Sequence, residues 1–565
     1  MRLIERDVPP RARWALEQGG LHPLLAQLYA ARGVIQPSEL DDALTHLLPP
    51  AALRGTGEAA RLLADAMAAD KSICIVADYD CDGATACAVA VRGLRLLGAR
   101  QVSYLVPDRV VDGYGLTASI AERVRATGAD VLVTVDNGIA SVDGVRQAQA
   151  LGLQVLITDH HLPGAELPGA DVIVNPSHPE CTFPSKALAG VGVMFYVLLA
   201  LRAELRTRDA FANGEQPRLD PLLPLVALGT VADVVRLDAN NRRIVAQGLR
   251  RIRAGSMPAG MRALFQVAGR PWQTASTFDF GFALGPRINA AGRLSDMTLG
   301  IECLLTDDAL RAMELAQRLE AINRERRDIE DGMRAQAFTL AESLHDALHE
   351  PPAALSVFDD SFHEGVVGIV ASRLKDRLHR PTFVFAASAA PGMEHLLKGS
   401  GRSIAGFHLR DALDLVAKRH PEVLQKFGGH AMAAGCTIAR EHLDVFKQAL
   451  ATVAEEWLDA ATLQRTLETD GALPAQFRRT DVAASLQQAV WGQGFAAPVF
   501  SEELDVVQQR LVGERHLKLQ LRHQGETVDG IWFGRSEPLP ARAHLAYRLD
   551  INSWQGRESV QFVVE

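Results

Sequence analysis

Residues 73–83 read ICIVADYDCDG, an apolar run followed by a turn that holds three aspartates. A short apolar run that ends in such a turn and is followed by a helical stretch at 84–97 is typical of a buried strand in a parallel sheet. Strand-like and helical stretches continue to alternate from about 55 to 200, which predicts βαβ units. The pattern that starts at this segment therefore predicts a fold of the α/β class.

Two further polar clusters follow apolar runs of the same kind. VLVTV at 131–135 ends in Asp136-Asn137-Gly138, and VLIT at 155–158 ends in Asp159-His160-His161. Because ligands bind at the carboxyl ends of strands in open α/β sheets, we expect the three clusters to converge. Carboxylates together with imidazole suit Mn²⁺ or Mg²⁺. The sequence therefore predicts a metal-dependent hydrolase, with phosphate esters as its substrate class.

Each cluster also has an ordinary structural explanation. Asp78, Asp80 and Asp82 could form an acidic surface turn that caps a helix, and Asn137-Gly138 is a common turn signal. Asp233 lies in an apolar run, where it is either a further metal ligand or a helix-end carboxylate near the surface. Three strand-end clusters in one βαβ array would be an improbable coincidence, so their combination favours the metal interpretation.

Length and composition limit the remaining possibilities. A chain of 565 residues exceeds a single core and predicts three or four domains. Residues 1–10 lack the apolar segment of a signal peptide, and no run approaches ~20 apolar residues, so the expected location is the cytoplasm. The six cysteines form no C-x-x-C pair, which predicts buried, reduced thiols. The net charge of −9 argues only weakly against a nucleic-acid partner, because a groove needs only a local basic surface.

The pattern along the chain divides it into five segments. Residues 307–344 have helical periodicity and many charges without proline, which predicts a long helix between two domains. Leu517, Leu519 and Leu521 alternate with polar residues, as in a strand with one buried face. The predicted segments are an N-terminal helical segment (1–50), the α/β domain with the acidic clusters (51–305), the long helix (306–350), a second α/β domain (351–457), and a linker with a small β-barrel (458–565).

Three segments rich in glycine and arginine are suited to phosphate binding. Arginine pairs with phosphate oxygens in a bidentate manner, and glycine lets backbone N–H groups approach them. Each segment could also be an ordinary loop, and the third, GSGRS at 399–403, is predicted to have a flexible backbone. The candidate residues are Arg109 and Tyr114 in the first segment (107–115), Arg287, Asn289 and Arg293 in the second (286–293), and Ser400 and Arg402 in the third.

Together these motifs resemble the DHH phosphoesterase superfamily, which is named after an Asp-His-His sequence such as that at 159–161. The similarity to its branch of single-strand-specific DNA exonucleases covers nearly the whole chain. It includes GTVAD at 229–233, HEG at 363–365 and GGHA at 428–431. The resemblance implies a multidomain α/β fold, with a parallel-sheet DHH domain joined by a long helix to a smaller DHHA1 domain, and a C-terminal OB-fold barrel.

The resemblance also implies an activity and its partners. Members of this branch remove mononucleotides from single-stranded DNA in the 5′→3′ direction, with two Mn²⁺ or Mg²⁺ ions, in DNA repair and recombination. They often act beside a helicase and a single-strand-binding protein. A smaller relative that cleaves short oligoribonucleotides or cyclic dinucleotides, a pyrophosphatase and a catalytically inactive replication scaffold are the alternatives. The extra length and the predicted barrel count against the first two, and the complete acidic motifs count against the third.

Site residues follow from the resemblance position by position. His161 would face the scissile phosphate, and either His161 or a metal-bound water would deliver a proton to the leaving 3′ oxygen. The implied catalytic residues are Asp136, Asp159, His160 and His161. The implied metal ligands are Asp80, Asp82, Asp136, His160 and Asp233, with Asp78 and Asp159 as ligands or as supports for ligands. The implied phosphate-binding residues are Arg109, Arg287, Arg293, Ser400, Arg402 and His430, beside Tyr114 and Asn289.

Overall fold

The structure is a computed structural model, and it has the multidomain α/β architecture that the sequence predicts. It describes residues 2–108, 112–211, 215–348, 352–390, 392–523, 525–554 and 556–565. The side chains at 343–348 and 554 lie outside this description. Among the described residues, no helix is both long enough and apolar enough to cross a membrane.

The N-terminal segment is held to a distant part of the chain. It consists of strand β1 (Arg2–Glu5) and helices α1 (Pro10–Gln18) and α2 (Pro23–Ala30), followed by short 3₁₀ turns. The sequence predicted only helices here and missed β1, whose parallel partner is a strand at Thr466–Thr469. Arg32 also reaches across to Asp470 through two hydrogen bonds of 2.8 and 2.9 Å, and both side chains are buried.

The first α/β domain is built on a five-stranded parallel sheet in the order β3-β2-β4-β5-β6. The strand order reverses between β2 and β4, and ligands bind at such switch points in open α/β sheets. Its strands are β2 (Ile73–Ala77), β3 (Val102–Leu105), β4 (Val131–Val135), β5 (Gln154–Thr158) and β6 (Val172–Val174). Its helices are α3 (Thr56–Ala68), α4 (Cys81–Leu96), α5 (Ala118–Ala126), α6 (Val142–Ala150) and α7 (Gly190–Thr207). Both β2 and β4 are fully buried, which agrees with their continuous apolar runs.

A helical region completes this domain. It contains α8 (Leu223–Ala232), α9 (Ala239–Arg253), α10 (Ala259–Val267), α11 (Thr277–Asp279), α12 (Gly285–Leu294) and α13 (Thr298–Leu305), with a π-helical turn at Phe280–Leu284 between α11 and α12. Several arginines of α9 pair within the chain. Arg250 contacts Asp42, and Arg251 donates to Asp220 at 2.9 Å. This basic cluster therefore attaches α9 to neighbouring segments.

The long helix predicted at 307–344 is confirmed as α14 (Ala309–Leu348). Its 40 residues span about 60 Å at ~1.5 Å per residue. A buried ion pair joins Arg326 to Glu330 at 2.6 Å, and Arg373 of the second α/β domain donates to the same carboxylate at 2.9 Å. The helix therefore packs against the second domain as well as the first.

The second α/β domain has a mixed sheet in the order β10-β11-β9-β8-β7. It consists of β7 (Leu355–Phe358), α15 (Val367–Leu378), β8 (Thr382–Ala387), β9 (Leu396–Arg402), α16 (Leu409–Arg419), β10 (Leu424–Gly429), β11 (Ala433–Ala439) and α17 (Leu443–Trp457). The prediction of a flexible backbone at Gly399–Gly401 was wrong, because these residues lie inside β9. Glycine is needed there because a Cβ on Gly399 would lie 2.3 Å from the Phe385 ring.

The C-terminal part is a closed barrel in the order β13-β14-β15-β17-β16. Its elements are β12 (Thr466–Thr469), α18 (Thr480–Gln488), β13 (Phe500–Val512), β14 (His516–His523), β15 (Glu526–Trp532), β16 (Arg542–Trp554) and β17 (Arg557–Val564). The predicted alternation is confirmed, since Leu517, Leu519 and Leu521 are buried. The apolar core of the barrel is continuous with that of the first domain. All six cysteines are buried and free.

Candidate metal centre and phosphate cavity

The strand-end clusters converge as the sequence predicts. Asp78 follows β2, Asp136 follows β4, and Asp159-His160-His161 follows β5, and these three strands are neighbours in the sheet. Ligand atoms come within 4.8 Å of one another in three groups, which are Asp136, His160 and His161; Asp82, His160 and Asp233; and Asp78, Asp80 and Asp136. Asp136 and His160 each belong to two groups, so adjacent cations could share them.

Asp233 reaches this centre from the end of α8. Its Oδ2 atom lies 3.4 Å from His160 Nε2, so this helix-end carboxylate lies within the cluster, and its role as a metal ligand stays a prediction. The close packing of α8 on α4 depends on Gly229, where a Cβ would lie 2.1 Å from Thr85 Oγ1. Val234, the residue that follows Asp233, has a φ of 62°, which is strained for a β-branched residue. Local strain of this kind occurs frequently at functional sites.

Asp136 occupies the centre of the cluster in an unusual backbone conformation. Its φ of 62° is left-handed, its side chain is buried, and its Oδ1 atom lies 3.1 Å from His160 Nε2. The first residue of α7, Gly190, packs directly against it. A Cβ at Gly190 would lie 2.5 Å from the Asp136 Cβ and 2.6 Å from Oδ1. Sequence reasoning did not identify Gly190, because nothing in its local sequence signals this contact.

Asp82 is held by the same end of α7. Its two oxygens accept hydrogen bonds from the backbone N–H groups of Gly190 at 2.6 Å and Val191 at 2.9 Å. The N-terminus of a helix carries a partial positive charge that favours a carboxylate. Asp80 caps α4 by accepting from Gly83 N at 2.9 Å. The helix-cap interpretation of the first acidic motif is therefore correct for Asp80 and is compatible with a metal site.

Asp159 forms hydrogen bonds with the two histidines that follow it. Its Oδ1 atom accepts from the backbone N–H groups of His160 and His161 and lies 2.7 Å from His161 Nδ1. Its Oδ2 atom accepts from Ile139 N at 2.9 Å. Because both oxygens are used in this way, the geometry favours a supporting role for Asp159. A further support that the sequence reasoning missed is Asn175, whose Nδ2 donates to His161 O at 3.0 Å.

Crowding of buried carboxylates dominates the electrostatics of the centre. Burial, followed by the charges of neighbouring aspartates, raises the pKa values of Asp136 and Asp233 well above their ordinary range. Burial and the Asp80 charge raise the pKa of Asp82 to about 7. Burial and the charge of His161 lower the pKa of His160 to about 3, so His160 is neutral at pH 7. A cation would relieve this repulsion, and a neutral imidazole is the form that binds metal.

His161 has the opposite charge state. Burial lowers its pKa, but the hydrogen bond to Asp159 and the surrounding carboxylates outweigh burial and raise the pKa to about 9. Tyr114 and His430 flank its ring, with centroid distances of 5.9 and 6.1 Å. Since His430 follows β10, the second α/β domain closes over the centre formed by the first.

The donor set fits divalent cations. Asp136 Oδ1 and His160 Nε2 are buried and face each other at 3.1 Å, and neither atom makes a hydrogen bond within the described residues. Unpaired buried polar atoms are costly unless something binds them. Carboxylate oxygens with one or two imidazoles suit Mn²⁺ and Mg²⁺ better than softer metals.

A cavity of about 150 Å³ lies beside the centre, between the two α/β domains. It is lined by Asp78, Tyr79, Asp80, Asn289, Arg293, Glu364, Gly365, Val367, Gly368, Ser400 and Arg402. Four of the predicted phosphate-binding residues therefore share one cavity, although they come from both domains. Sequence reasoning gave no site role to Tyr79 or to Glu364, although the latter belongs to the HEG motif at 363–365.

The other predicted phosphate-binding residues have different surroundings. Arg287 is buried, and its Nε atom lies 2.6 Å from Glu320 Oε2 of α14, so the structure provides this guanidinium with a partner within the chain. Its role in phosphate binding stays a prediction. Arg109 lies outside the described residues.

Family models match three parts of the chain. The DHH family N-terminal domain matches residues 72–230, the DHHA1 domain matches 350–456, and the RecJ OB domain matches 469–565. The fold and the site thus define a phosphoesterase of the DHH class. The single-stranded-DNA-specific exonuclease RecJ of Dickeya dadantii (strain 3937) is 48% identical over 555 residues, which cover 96% of each chain. The chain therefore belongs to the RecJ family of single-stranded-DNA-specific exonucleases.

Two solved structures of RecJ from Thermus thermophilus resemble the whole chain. The complex with Mn²⁺ has a TM-score of 0.81 at 30% identity and covers 100% of this chain and 78% of its own. The complex with Mg²⁺ has a TM-score of 0.76 at 28% identity and covers 100% and 77%. Both metals that the sequence predicts thus occur in structures with this fold.

Proposed function

We propose that this protein removes mononucleotides from the 5′ end of single-stranded DNA by metal-assisted hydrolysis, in cytoplasmic DNA repair and recombination. The observation that carries this proposal is the small polar cavity beside the carboxylate and histidine cluster. A terminal phosphate bound in the cavity would bring the adjacent phosphodiester to the cluster. Cleavage there would release one nucleotide at a time.

The metal assignment is part of the proposal. Asp78, Asp80, Asp82, Asp136, His160 and Asp233 would hold two divalent cations, because their ligand atoms form groups that share Asp136 and His160. Bound there, the cations would activate water and neutralise charge on the phosphate oxygens. The chain itself keeps His160 neutral, orients His161 through Asp159, and positions Asp136 against Gly190.

His161 is the proposed proton donor to the leaving 3′ oxygen. Its Nδ1 atom contacts Asp159, and its Nε2 atom, which lies 3.5 Å from the Tyr114 hydroxyl, is the atom that would face the substrate. A pKa raised to about 9 keeps the ring protonated at neutral pH, as a general acid must be before the proton is transferred. Without this proton, the alkoxide leaving group would carry the full developing charge.

The charges around the cavity explain why a phosphate would need the cations. Its lining contains the carboxylates of Asp78, Asp80 and Glu364 but only two guanidinium groups, those of Arg293 and Arg402. A terminal phosphate in the cavity would therefore meet net repulsion unless divalent cations were bound nearby. The barrel would hold the strand farther from the cut, since OB folds bind single strands through basic grooves and aromatic side chains. A helicase and a single-strand-binding protein are the proposed partners.

Digestion of end-labelled DNA tests this function. Single strands labelled at the 5′ or 3′ end, a matched duplex and a dinucleotide are incubated with Mn²⁺, with Mg²⁺ or with chelator. Immediate release of the 5′ label as a mononucleotide, only from the single strand and only with metal, is the expected result. Release of the 3′ label first would contradict the proposed direction, and cleavage of the dinucleotide alone would indicate a small-substrate phosphodiesterase.

Replacing Arg402 by alanine is expected to weaken recognition of a 5′-phosphate. A charge-assisted hydrogen bond contributes about 1.5–3 kcal/mol, so KM for a 5′-phosphorylated strand should rise by ~10- to 100-fold. KM for the same strand with a 5′-hydroxyl should change much less, because the lost contact is absent there already. Steady-state kinetics on both substrates check this. Arg419→Ala, an exposed arginine paired with Glu456 in the same domain, is the matched control. Equal effects on both substrates would contradict the assignment.

Metal affinity is expected to rise with pH. The raised pKa values of Asp136, Asp233 and Asp82 mean that a metal ion must displace protons, so affinity falls as pH drops through about 7. Each displaced proton changes affinity by about tenfold per pH unit below its pKa. Titration calorimetry with Mn²⁺ from about pH 6 to about pH 8, in buffers of different ionisation enthalpy, measures both the affinity and the protons released. An affinity that does not change over this range would contradict the prediction.

A further inference from the structure

One carboxylate in the phosphate cavity stands apart from the metal centre. The lining of this cavity, which lies between the two α/β domains, contains the carboxylates of Asp78, Asp80 and Glu364. Asp78 and Asp80 form one of the three ligand groups together with Asp136, whereas Glu364 belongs to none of these groups. Bound cations would therefore neutralise the two aspartates and leave the charge of Glu364 in place. A site that binds a phosphate would then contain a group that repels it.

The HEG turn fixes Glu364 in the wall of the cavity. Gly365 N donates to His363 Nδ1 at 3.0 Å, and Arg293 Nη1 donates to Gly365 O at 3.2 Å. A Cβ on Gly365 would lie 2.5 Å from Arg293 O, so the turn packs directly against α12. The side chain of Glu364 is partly buried, and its Oε2 atom accepts from Ala389 N at 3.2 Å. Glu364 therefore lines the cavity from a turn that is held against Arg293.

The hydrogen bond to Ala389 does not depend on the charge of Glu364. The amide oxygen of a glutamine can accept the same bond from Ala389 N, so a neutral side chain would hold the loop after β8 as well. A charge in a small cavity, by contrast, changes the affinity for an anion several-fold, because the effective dielectric constant there is lower than in water. The charge at position 364 therefore acts mainly on the anion that occupies the cavity.

The proposed reaction requires this cavity to empty in every cycle. Hydrolysis adds the oxygen of water to phosphorus and breaks the bond to the 3′ oxygen, which takes up a proton. The released mononucleotide keeps the terminal phosphate that the cavity holds, and the shortened strand ends in a new 5′-phosphate. Two phosphates would repel each other strongly in a cavity of about 150 Å³. The next cycle can therefore begin only after the first phosphate has left.

We propose that Glu364 limits the affinity of the phosphate cavity for a terminal phosphate, so that the mononucleotide product leaves readily, an inference that rests on the proposed function. The guanidinium groups of Arg293 and Arg402 attract the phosphate, and the Glu364 carboxylate opposes them. A strand can make additional contacts along its length, whereas a mononucleotide depends chiefly on its phosphate. Glu364 therefore weakens the binding of the product more than that of the substrate.

Product inhibition tests this role of Glu364. In Glu364→Gln, the inhibition constant of thymidine 5′-monophosphate against hydrolysis of a 5′-phosphorylated strand should fall by about five- to tenfold, because one opposing charge is removed. KM for that strand should also fall, whereas KM for the same strand with a 5′-hydroxyl should stay within about twofold of the parent. A variant that damaged the site would raise these constants instead of lowering them.

Two control variants accompany this measurement. Glu364→Asp keeps the charge and should retain the inhibition constant of the parent. Glu455→Gln removes an exposed carboxylate from α17 of the same domain and should change neither constant. An inhibition constant that is unchanged in Glu364→Gln would overturn the inference. Equal falls in KM for the two strands would overturn it as well, because the charge would then act on the strand as a whole.

Titration calorimetry separates this inference from the proposed function. The parent and Glu364→Gln, both with Mn²⁺, are titrated with thymidine 5′-monophosphate and with thymidine, which lacks the phosphate. Tighter binding of the monophosphate by the variant, with no change for thymidine, is the expected result. A parent that degrades single strands, together with equal affinities of parent and variant for the monophosphate, would overturn only the role of Glu364. A parent that degrades no DNA would overturn the proposed function, while tighter binding of the monophosphate by the variant would still support the role of Glu364.

Discussion

Replacing Asp136 by asparagine is expected to lower the hydrolysis of single-stranded DNA by more than about 10³-fold. Asp136 Oδ1 lies 3.1 Å from His160 Nε2, and Asp136 belongs to two of the three ligand groups, so its charge contributes to the whole centre. Asparagine is the informative replacement, because it tolerates the left-handed backbone at φ 62° better than alanine does. Hydrolysis of the 5′-labelled strand with saturating Mn²⁺ measures the effect.

The fold should survive this change. The raised pKa of Asp136 shows that its charged form is disfavoured in the folded protein without metal, so loss of the charge should leave the melting temperature of the metal-free protein equal or higher. The parent should gain stability when Mn²⁺ is added, because a ligand that binds only the folded state stabilises it, and the variant should lose most of that gain. Asp143→Asn, an exposed carboxylate on α6, is the control that should behave as the parent. Activity within tenfold of the parent would remove Asp136 from the centre.

Gly190→Ala is expected to reduce hydrolysis by more than about 100-fold through a single methyl group. The new Cβ would lie 2.5–2.7 Å from three atoms of the Asp136 side chain, a separation that requires the carboxylate to move. A displacement of about 1 Å in a catalytic group is enough for an effect of this size. The cost in unfolding free energy should be only about 1–3 kcal/mol, which is usual for overpacking. Single-strand hydrolysis and urea denaturation, measured together, check both expectations.

A control for this change lies two residues further along the same helix. A Cβ at Gly192 would meet only the Leu188 side chain, at 3.2 Å or more, which can adjust. Gly192→Ala should therefore retain activity and gain some stability from the higher helix propensity of alanine. If Gly190→Ala retained parental activity and metal-induced stabilisation, the close contact between α7 and Asp136 would not be essential to the site.

Several parts of the site could be predicted from the sequence because their signals are local. The apolar strands and the polar residues that follow them are adjacent in the chain, and parallel strands in one sheet place their carboxyl ends on the same side. The first acidic motif, the aspartate after β4 and the DHH sequence therefore converge as expected. Asn289 and Arg293, predicted to bind phosphate from their composition, do line the cavity beside the cluster.

Other parts could not be predicted because their causes are distant in the chain. Asp233 had two interpretations in the sequence, and only the packing of α8 on α4 shows that this helix-end carboxylate lies 3.4 Å from His160. The local sequence does not distinguish the surroundings of Arg287 from those of Arg293. In the structure, Arg287 pairs with Glu320, whereas Arg293 lines the cavity. The strand β1 was missed because four residues carry little signal and their partner lies beyond the second domain.

The sequence by itself determined the α/β class, the three strand-end clusters, the long helix and the alternating strands of the barrel. These properties depend on periodicity and on residues that are neighbours in the chain. Only the tertiary structure decided that Gly190 shapes the position of Asp136, that His430 covers His161, and that Ser400 and Arg402 share a cavity with Asn289. These contacts join elements far apart in sequence, and their distances are set by packing between domains, for which no local pattern exists.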